Sequence, residues 1–158
     1  MFKIGDKVVY PMHGAGIIEA IEEKEVLGTK RKYYIMRMPI GNMKVMVPLD
    51  NVQQVGLRSV VGIEDIEAVM GLLRQQDTEM STNWNHRYRA NMEKIKSGDI
   101  FEVAEVVRNL LHRDKDKGLS TGERKMLENA RQILVSEMVL AQDKEEEQVE
   151  SFLEDMFD

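Results

Sequence analysis

The stretch "VVGIEDIEAVMGLLR", residues 60–74, is where the spacing of apolar side chains along the chain changes. Before it the spacing is close to two residues, which is typical of β-strands; from Ile63 onward it is about 3.6 residues, which is typical of an amphipathic helix. The helical face carries Ile63, Ile66, Met70 and Leu73. The sequence therefore predicts an α+β fold in two domains, with strands in residues 1–60 and helices in residues 63–158.

Residues 1–60 predict a small antiparallel β-barrel. Four runs are rich in β-branched and aromatic residues, and residues that favour turns separate them. The runs are "KVVY", "GIIEAIEEKEV", "KYYIMRM" and "KVMVPL", with turns at Gly5–Asp6, Pro11–Gly16, Leu27–Gly28 and Gly41–Asn42. The glycines between Pro11 and Gly16 are interpreted as turn residues and not as a phosphate cradle, because the loop leads into a strand and not into a helix.

Residues 63–158 predict a bundle of about five helices. A polar connector, residues 75–82, ends the first helix, and Thr82 or Asn83 is the expected N-cap of the second. Two more helix starts are indicated by acidic residues three positions after a capping side chain, in the pairs Asp99 with Glu102 and Ser120 with Glu123. A short last helix is predicted in the C-terminus, where helical spacing is kept by Val149, Phe152, Leu153, Met156 and Phe157.

The charge of the chain is unevenly distributed. Its 158 residues carry a net charge of −6, which argues at first against a polyanionic partner. Residues 143–158 contain eight acidic residues and one lysine, so the other 142 residues carry a net charge of +1. The acidity belongs mostly to the C-terminus, and contact between the rest of the chain and nucleic acid stays compatible with composition.

The sequence indicates a reducing compartment and no membrane segment. There is no cysteine, which excludes disulfides and thiolate metal sites. The first residues carry charge and glycine where a signal peptide has an apolar core, and no apolar run approaches the roughly 20 residues that span a bilayer. We therefore expect a cytoplasmic protein with no membrane partner.

Residues that could carry catalysis are scattered. His13, His86 and His112 have no second histidine or carboxylate at ligand spacing beside them, and no nucleophile with a recognisable base is present. We therefore expect no enzyme activity, no metal, no cofactor and no small-molecule substrate. A small enzyme acting on a soluble metabolite is the alternative, and a polar pocket with converging titratable groups would favour it.

The predicted second helix carries the only tryptophan of the chain on an apolar seam edged by cations. At 100° per residue the seam consists of Trp84, Tyr88, Met92 and Ile95, with Arg87 and Lys94 on one side and Arg89 and Lys96 on the other. Two interpretations are open. Either Trp84 belongs to the core, or its ring, in the first turn of the helix, protrudes toward a partner.

A second cationic edge is predicted on the fourth helix. Arg124 and Arg131 are seven residues apart, and therefore within about 20° of each other around the helix axis, and Lys125 adds charge nearby. Two such edges fit the phosphates on both sides of a DNA groove, and they fit an ordinary solvated surface as well.

Two stretches carry a family resemblance. Residues 2–22, "FKIGDKVVYPMHGAGIIEAIE", and residues 83–134, "NWNHRYRANMEKIKSGDIFEVAEVVRNLLHRDKDKGLSTGERKMLENARQIL", make nearly the whole chain similar to the CarD/CdnL family of bacterial transcription regulators. The first stretch alone also resembles the polymerase-interacting module of transcription-repair coupling factors. The resemblance implies a Tudor-like or SH3-like barrel that docks on the β subunit of RNA polymerase, and a helical domain that touches promoter DNA at the upstream edge of the melted bubble.

The resemblance also implies roles for individual residues. Trp84 matches a minor-groove wedge that stabilises the open complex, and the expected contacts with the phosphate backbone are Arg87, Arg89 and Arg124, with Lys125 added for its charge. The expected polymerase-facing residues are Lys24, Arg31, Lys32, Tyr33 and Met46. A protein-only adaptor, with Trp84 as an anchor for another protein, is the alternative, because aromatic residues are common at protein interfaces.

Overall fold

The structure is a computed structural model that describes residues 1–157. Its N-terminal part contains five strands: β1 (Lys7–Tyr10), β2 (Gly14–Val26), β3 (Thr29–Arg37), β4 (Lys44–Pro48) and β5 (Arg58–Ser59). A 3-10 turn at Leu49–Asn51 and the single-turn helix α1 (Val52–Val55) connect β4 to β5. The strands follow the predicted β-branched and aromatic runs, because such side chains pack well on a pleated surface. The start of β2 is a correction: Gly14 and Gly16, interpreted as turn residues, pair with Tyr10 and Val8 of β1.

The strands form one antiparallel sheet in the order β4-β3-β2-β1-β5. Within residues 1–157, β4 pairs only with β3 and β5 pairs only with β1, so the sheet is open and these two strands are its edges. The predicted small antiparallel domain is confirmed, but the barrel does not close. With only two residues, β5 offers few backbone groups for a further ladder.

One face of the sheet forms the core of this domain. Successive side chains of a strand point to opposite faces, and the buried set comprises Val8, Ile18, Tyr34, Met36, Met38, Val47 and Leu57. A register shift between Ile18 and Ala20 lets β2 bend as it passes from the core into the exposed hairpin that it forms with β3. The hairpin turns at Leu27 and Gly28, which both have positive φ, as the predicted two-residue turn requires.

The C-terminal part is the predicted bundle of five longer helices. They are α2 (Ile63–Arg74), α3 (Trp84–Lys96), α4 (Ile100–Asp116), α5 (Thr121–Gln142) and α6 (Glu146–Phe157). Their apolar faces meet in one cluster of buried side chains drawn from all five helices. The acidic α6 joins this cluster through Val149 and Leu153 while most of its acids stay on the surface, which confirms the last predicted helix.

Three predicted caps are present at the helix starts. The Asn83 carboxamide oxygen accepts from the His86 backbone N–H (3.1 Å), so Asn83 and not Thr82 caps α3. Asp99 caps α4 by accepting from the Phe101 N–H. Ser120 caps α5 by accepting from the Glu123 N–H (3.2 Å). Each cap satisfies one of the backbone donors that a helix start leaves unpaired.

The sheet packs against α5. The Ala15 N–H in β2 donates to the Ser136 hydroxyl (2.8 Å), and Ala15, Val9 and Leu140 form a small buried cluster. The Lys7 ammonium of β1 donates to the Leu140 carbonyl (2.9 Å). The two parts of the chain therefore share a packed interface.

A buried ion pair closes this interface. The carboxylate of Glu137 in α5 is 1% exposed, and its two oxygens accept from the guanidinium of Arg58 in β5 at 2.7 and 2.8 Å. One of these oxygens also accepts from the Val61 N–H (3.0 Å), where the chain passes from sheet to helices. Arg58 Nε donates in addition to the Gly98 carbonyl (2.8 Å).

Gly98 has φ +75, and a Cβ there would lie 2.9 Å from Pro11, so the close approach of the β1–β2 loop requires glycine.

We predict that Glu137→Gln lowers the free energy of unfolding by about 3 kcal/mol, because it leaves the Arg58 guanidinium without its counter-charge at a largely buried site. Urea denaturation measures the change. The matched control is Arg131→Gln, which breaks the more exposed pair with Glu150 and should cost under about 1 kcal/mol. A loss under about 1 kcal/mol in Glu137→Gln, the size expected for the control, would show that the Glu137 pair does not stabilise the junction.

Candidate nucleic-acid interface

Buried polar side chains order the connector that leads to Trp84. The guanidinium of Arg108 in α4 donates to the Leu72 carbonyl (3.2 Å) and to the Thr78 hydroxyl (2.7 Å). The Thr78 N–H donates to the neighbouring Asn109 (3.0 Å). Most of residues 75–82 face solvent, but Arg108 and Asn109 hold the segment by hydrogen bonds on its inner side. The start of α3 therefore has a defined position.

Trp84 lies at the edge of the bundle and outside the core. It is 41% exposed, whereas Ile95, further along the same seam, is fully buried. The Trp84 ring stacks on Tyr88 with 4.9 Å between centroids and 19° between planes. Its other contacts come from α5, where Gly122 approaches the ring edge and the Ser120 hydroxyl accepts from the Trp84 Nε1–H at 3.0 Å.

Of the two interpretations of Trp84, the buried-core one does not fit this geometry. The rest of the seam, Tyr88, Met92 and Ile95, packs against the bundle interior. The Trp84 ring lies partly exposed over the junction between α3 and α5. A large, partly exposed aromatic surface held in one orientation is typical of a residue that contacts a partner.

Arg87 does not lie on the surface, contrary to the expected phosphate contact. It is 4% exposed, and it binds the buried Glu123 carboxylate through Nε (2.8 Å) and a terminal nitrogen (3.2 Å). Its remaining terminal nitrogen donates to the carbonyls of Ser81 (3.1 Å) and Thr82 (3.4 Å). Helical spacing placed Arg87 beside the seam correctly, but the acid that draws it inward is 36 residues away in sequence, on α5.

The Arg87 and Glu123 pair is charged in the folded protein. Burial alone would raise the pKa of Glu123, but hydrogen bonds and charge from Arg87, together with hydrogen bonding to Ser120, lower that pKa below its ordinary value. The Ser120 hydroxyl donates to the same carboxylate (3.2 Å). The carboxylate therefore links Arg87 on α3 to the cap of α5.

The other cations expected at DNA, Arg89, Arg124 and Lys125, are exposed. Within residues 1–157, Arg89 on α3 and Lys125 on α5 form no ion pair. Lys125 lies one turn beyond Gly122, on the side of α5 near Trp84. Arg124 points toward α4 and lies 3.3 Å from Asp114 in an exposed pair. Such a pair is weak in water, and Arg124 can exchange its partner for a phosphate.

Two further predicted cations of the helical edges are paired. Lys94 donates to Glu105 (2.8 Å), and this hydrogen bond lowers the pKa of Glu105 despite partial burial. Arg131 binds Glu150 of α6 (2.7 Å). The basic surface around Trp84 is therefore smaller than the sequence indicates.

The residues expected at polymerase lie on three adjacent strands. Lys24 of β2 pairs in register with Arg31 of β3, and Met46 of the edge strand β4 pairs with Ile35 of β3. Lys24 lies 3.6 Å from Glu22, and Arg31 binds Asp50 at 2.8 Å. The sequence pattern thus brings these cations together, although both have acidic neighbours.

Two of these five residues are less suited to a contact on the face of Arg31. Lys32 follows Arg31 directly, so its exposed side chain points to the opposite face of β3. Tyr33 shares the face of Arg31 but is buried, which leaves little of its ring for a partner. Met46 is 40% exposed on an edge strand whose outer backbone groups have no neighbouring strand within residues 1–157.

Sequence reasoning missed the role of the α5 start at Trp84. The pair Ser120 and Glu123 predicted a helix start, but the sequence indicated no role for Gly122. Nothing local indicated that α3 would lie across this turn, because the two segments are 36 residues apart. The local signal in this turn was the capping box itself, which predicts a helix start and no contact with a distant ring.

Within residues 1–157, no group of three or more histidine and acidic side chains is arranged to hold a metal ion. None of the helices in this range combines the length and apolar character needed to cross a bilayer.

Family models match both parts of the chain. Residues 2–61 match the CarD-like/TRCF RID domain, and residues 68–154 match the CarD C-terminal domain. Among relatives, a putative transcription factor, YdeB of Bacillus subtilis (strain 168), is 46% identical over 152 residues, which are 96% of this chain and 99% of the relative.

Two solved structures match the N-terminal part. The solution structure of the 72-residue N-terminal domain of Myxococcus xanthus CarD is 39% identical and covers 37% of this chain and 79% of its own, with a TM-score of 0.33. CdnLNt from the same organism is 41% identical and covers 39% of this chain and 86% of its own, with a TM-score of 0.34. The two family models and the full-length relative agree with the resemblance in the sequence, and the chain belongs to the CarD/CdnL family of transcription regulators.

Proposed function

We propose that this protein docks through its strand domain on the β subunit of RNA polymerase and places Trp84 in the minor groove of promoter DNA at the upstream edge of the transcription bubble. The family of residues 2–61 indicates an interaction with RNA polymerase. The observation that carries the DNA contact is the partly exposed Trp84 ring, held between Tyr88 and the start of α5.

A ring in this position can act on DNA without catalysis. Inserting an aromatic wedge at a base step costs a few kcal/mol of unstacking in regular duplex, and less where the DNA is already kinked or opening. The ring therefore binds the open state better than the closed state. A ligand with such a difference in affinity shifts the equilibrium toward the state that it prefers, here the open complex.

The few exposed cations make tethering necessary for this function. Arg89, Lys125 and Arg124 neutralise few phosphates, so free duplex should be bound weakly, especially by a chain of net charge −6. Docking on polymerase raises the local concentration to the order of mM. Glu137 connects the sheet to α5 in a packed junction. A sheet docked on polymerase therefore also fixes the position of Trp84, which contacts the start of α5.

The polymerase contact is proposed at the edge strand β4. An exposed edge presents unpaired backbone groups to which a partner strand can be added, and side chains beside it supply specificity. Met46 is an apolar side chain at this edge, and Lys24 and Arg31 add charge on the neighbouring strands. In this assignment Arg87 stabilises the fold near Trp84 and does not contact phosphate.

We predict that Trp84→Ala keeps polymerase binding and abolishes the added lifetime of the open complex. Loss of a partly exposed ring should cost about 1 to 2 kcal/mol of unfolding free energy, less than the 3 to 5 of a fully buried tryptophan. Promoter dissociation kinetics and footprinting just upstream of the bubble measure the function. Met92→Ala, on the same helix but partly buried, should lose stability and keep activity. An undiminished lifetime in Trp84→Ala would rule out the wedge and favour a protein-only adaptor.

We predict opposite phenotypes for two neighbouring arginines. Arg89→Gln should unfold like the wild type and lower the log-log salt slope of DNA binding by about 0.9, the contribution of one phosphate. Arg87→Gln should lower the free energy of unfolding by about 3 to 5 kcal/mol, because Glu123 is left buried and unpaired. Thermal unfolding and fluorescence polarisation over a salt series separate the two effects, and the reverse pattern would contradict the assignment.

We predict that Met46→Glu weakens binding to the polymerase β subunit about tenfold, because it places a charge at the apolar part of the docking edge. Binding of the full chain to the isolated β subunit measures it. Ile63→Glu is the matched control, since Ile63 is also an exposed apolar residue but lies on α2. Equal affinity of Met46→Glu and wild type would exclude this edge as the docking site.

A further inference from the structure

The Ser120 hydroxyl has all of its hydrogen-bonding capacity in use. It accepts from the Trp84 Nε1–H (3.0 Å) and from the Glu123 N–H (3.2 Å), and it donates its own proton to the Glu123 carboxylate (3.2 Å). A hydroxyl offers one donor and two acceptor positions. Ser120 therefore combines two functions, since the atom that caps α5 also receives the polar edge of the Trp84 ring.

The same carboxylate connects this cap to α3. Arg87, one turn after Trp84, binds Glu123 with two nitrogens and holds the carbonyls of Ser81 and Thr82 just before the helix. Glu123 is 2% exposed, so this support is shielded from solvent. The Trp84 side chain and its backbone are thus fixed to one buried ion pair, with Ser120 as the link to the ring.

The ring is also confined on its faces. Tyr88 stacks on it, and its edge lies beside Gly122, where an added Cβ would be in ordinary van der Waals contact with the ring at 3.5 Å. The indole is bonded to Cβ, so its freedom is rotation about χ1 and χ2, and a half-turn about χ2 would keep the plane of the ring stacked on Tyr88 while exchanging its two edges. The hydrogen bond from Nε1–H to Ser120 is directional, and it selects the edge of the indole that faces α5.

We infer that Ser120, supported by Glu123 and Arg87, is a positioning residue that sets the orientation of the Trp84 ring for its contact with DNA. This inference rests on the proposed function. A fixed ring does not lose side-chain freedom again when it enters the DNA, and pre-organisation of this kind strengthens binding without a new contact. The Trp84 Nε1–H is directed to the protein, and the residue as a whole stays partly exposed.

The test uses the full chain and the fluorescence of Trp84, which is the only tryptophan present. Ser120→Ala should give the ring a fast component of anisotropy decay and greater quenching by acrylamide. It should also shorten the added open-complex lifetime about fivefold, the equilibrium factor of one net hydrogen bond. Ser120→Thr keeps the hydroxyl and should restore both properties.

Asp99→Ala is the matched control, because it removes a cap from α4 without touching Trp84. It should lower thermal stability like Ser120→Ala and leave fluorescence and open-complex lifetime unchanged. A double-mutant cycle with Trp84→Phe, which lacks the donor, should show that Ser120→Ala has no further effect on lifetime in that background.

The failures of the two proposals are distinguishable. If Trp84→Ala has wild-type open-complex lifetime, the proposed function fails, whatever the fluorescence shows. If Trp84→Ala loses activity but Ser120→Ala keeps a rigid ring, positioning by Ser120 is overturned and the wedge stands. A mobile ring with full activity, or equal effects of Ser120→Ala and Asp99→Ala on lifetime, also overturns the positioning role.

Discussion

The buried carboxylate of Glu137 is the constraint on which the placement of the two halves of the protein depends. It accepts hydrogen bonds from Arg58 and from the backbone at Val61, and a charge buried this deeply is tolerated only with such partners. Because Arg58 also binds the Gly98 carbonyl, one guanidinium connects the sheet, α5 and the turn before α4. The proposed contacts with polymerase and DNA depend on this junction being rigid.

Some of the arginines in this chain stabilise the fold instead of lying on the surface where they could bind a partner. Arg87 is neutralised by Glu123, whereas the hydrogen-bond acceptors of the buried Arg108 within residues 1–157 are neutral, among them the Leu72 carbonyl near the C-terminal, electronegative end of α2. Both side chains hold backbone oxygens or hydroxyls around the irregular segment before α3. This explains how an exposed connector can lead to a helix start with a defined position. It also explains why the basic surface is small.

The sequence predicted the fold because its signals are local. The change of spacing at Ile63, the caps at Asn83, Asp99 and Ser120, and the turn at Leu27 each act within a few residues. The open sheet was missed, because closure depends on how many backbone groups β5 and β4 can offer each other. Position along α3 left Trp84 either in the core or at an edge, and the inward turn of Arg87 and the support from Ser120 depend on a helix 36 residues away. Pairings of that kind are set by tertiary packing, which periodicity does not encode.

Helix α5 contacts Trp84 at its N-terminal end and the sheet near its C-terminal end. It is therefore a rigid connection between the two. From Ser120 to Glu137 the helix rises roughly 25 Å, at 1.5 Å per residue. A hydrogen-bonded helix of this length, buried along most of its inner face, bends little under load. In the proposed function, strain applied to the tryptophan ring by closing DNA would therefore reach the ion pair at the sheet with little loss, and the distance between the docked sheet and the DNA contact would be set by the length of this one helix.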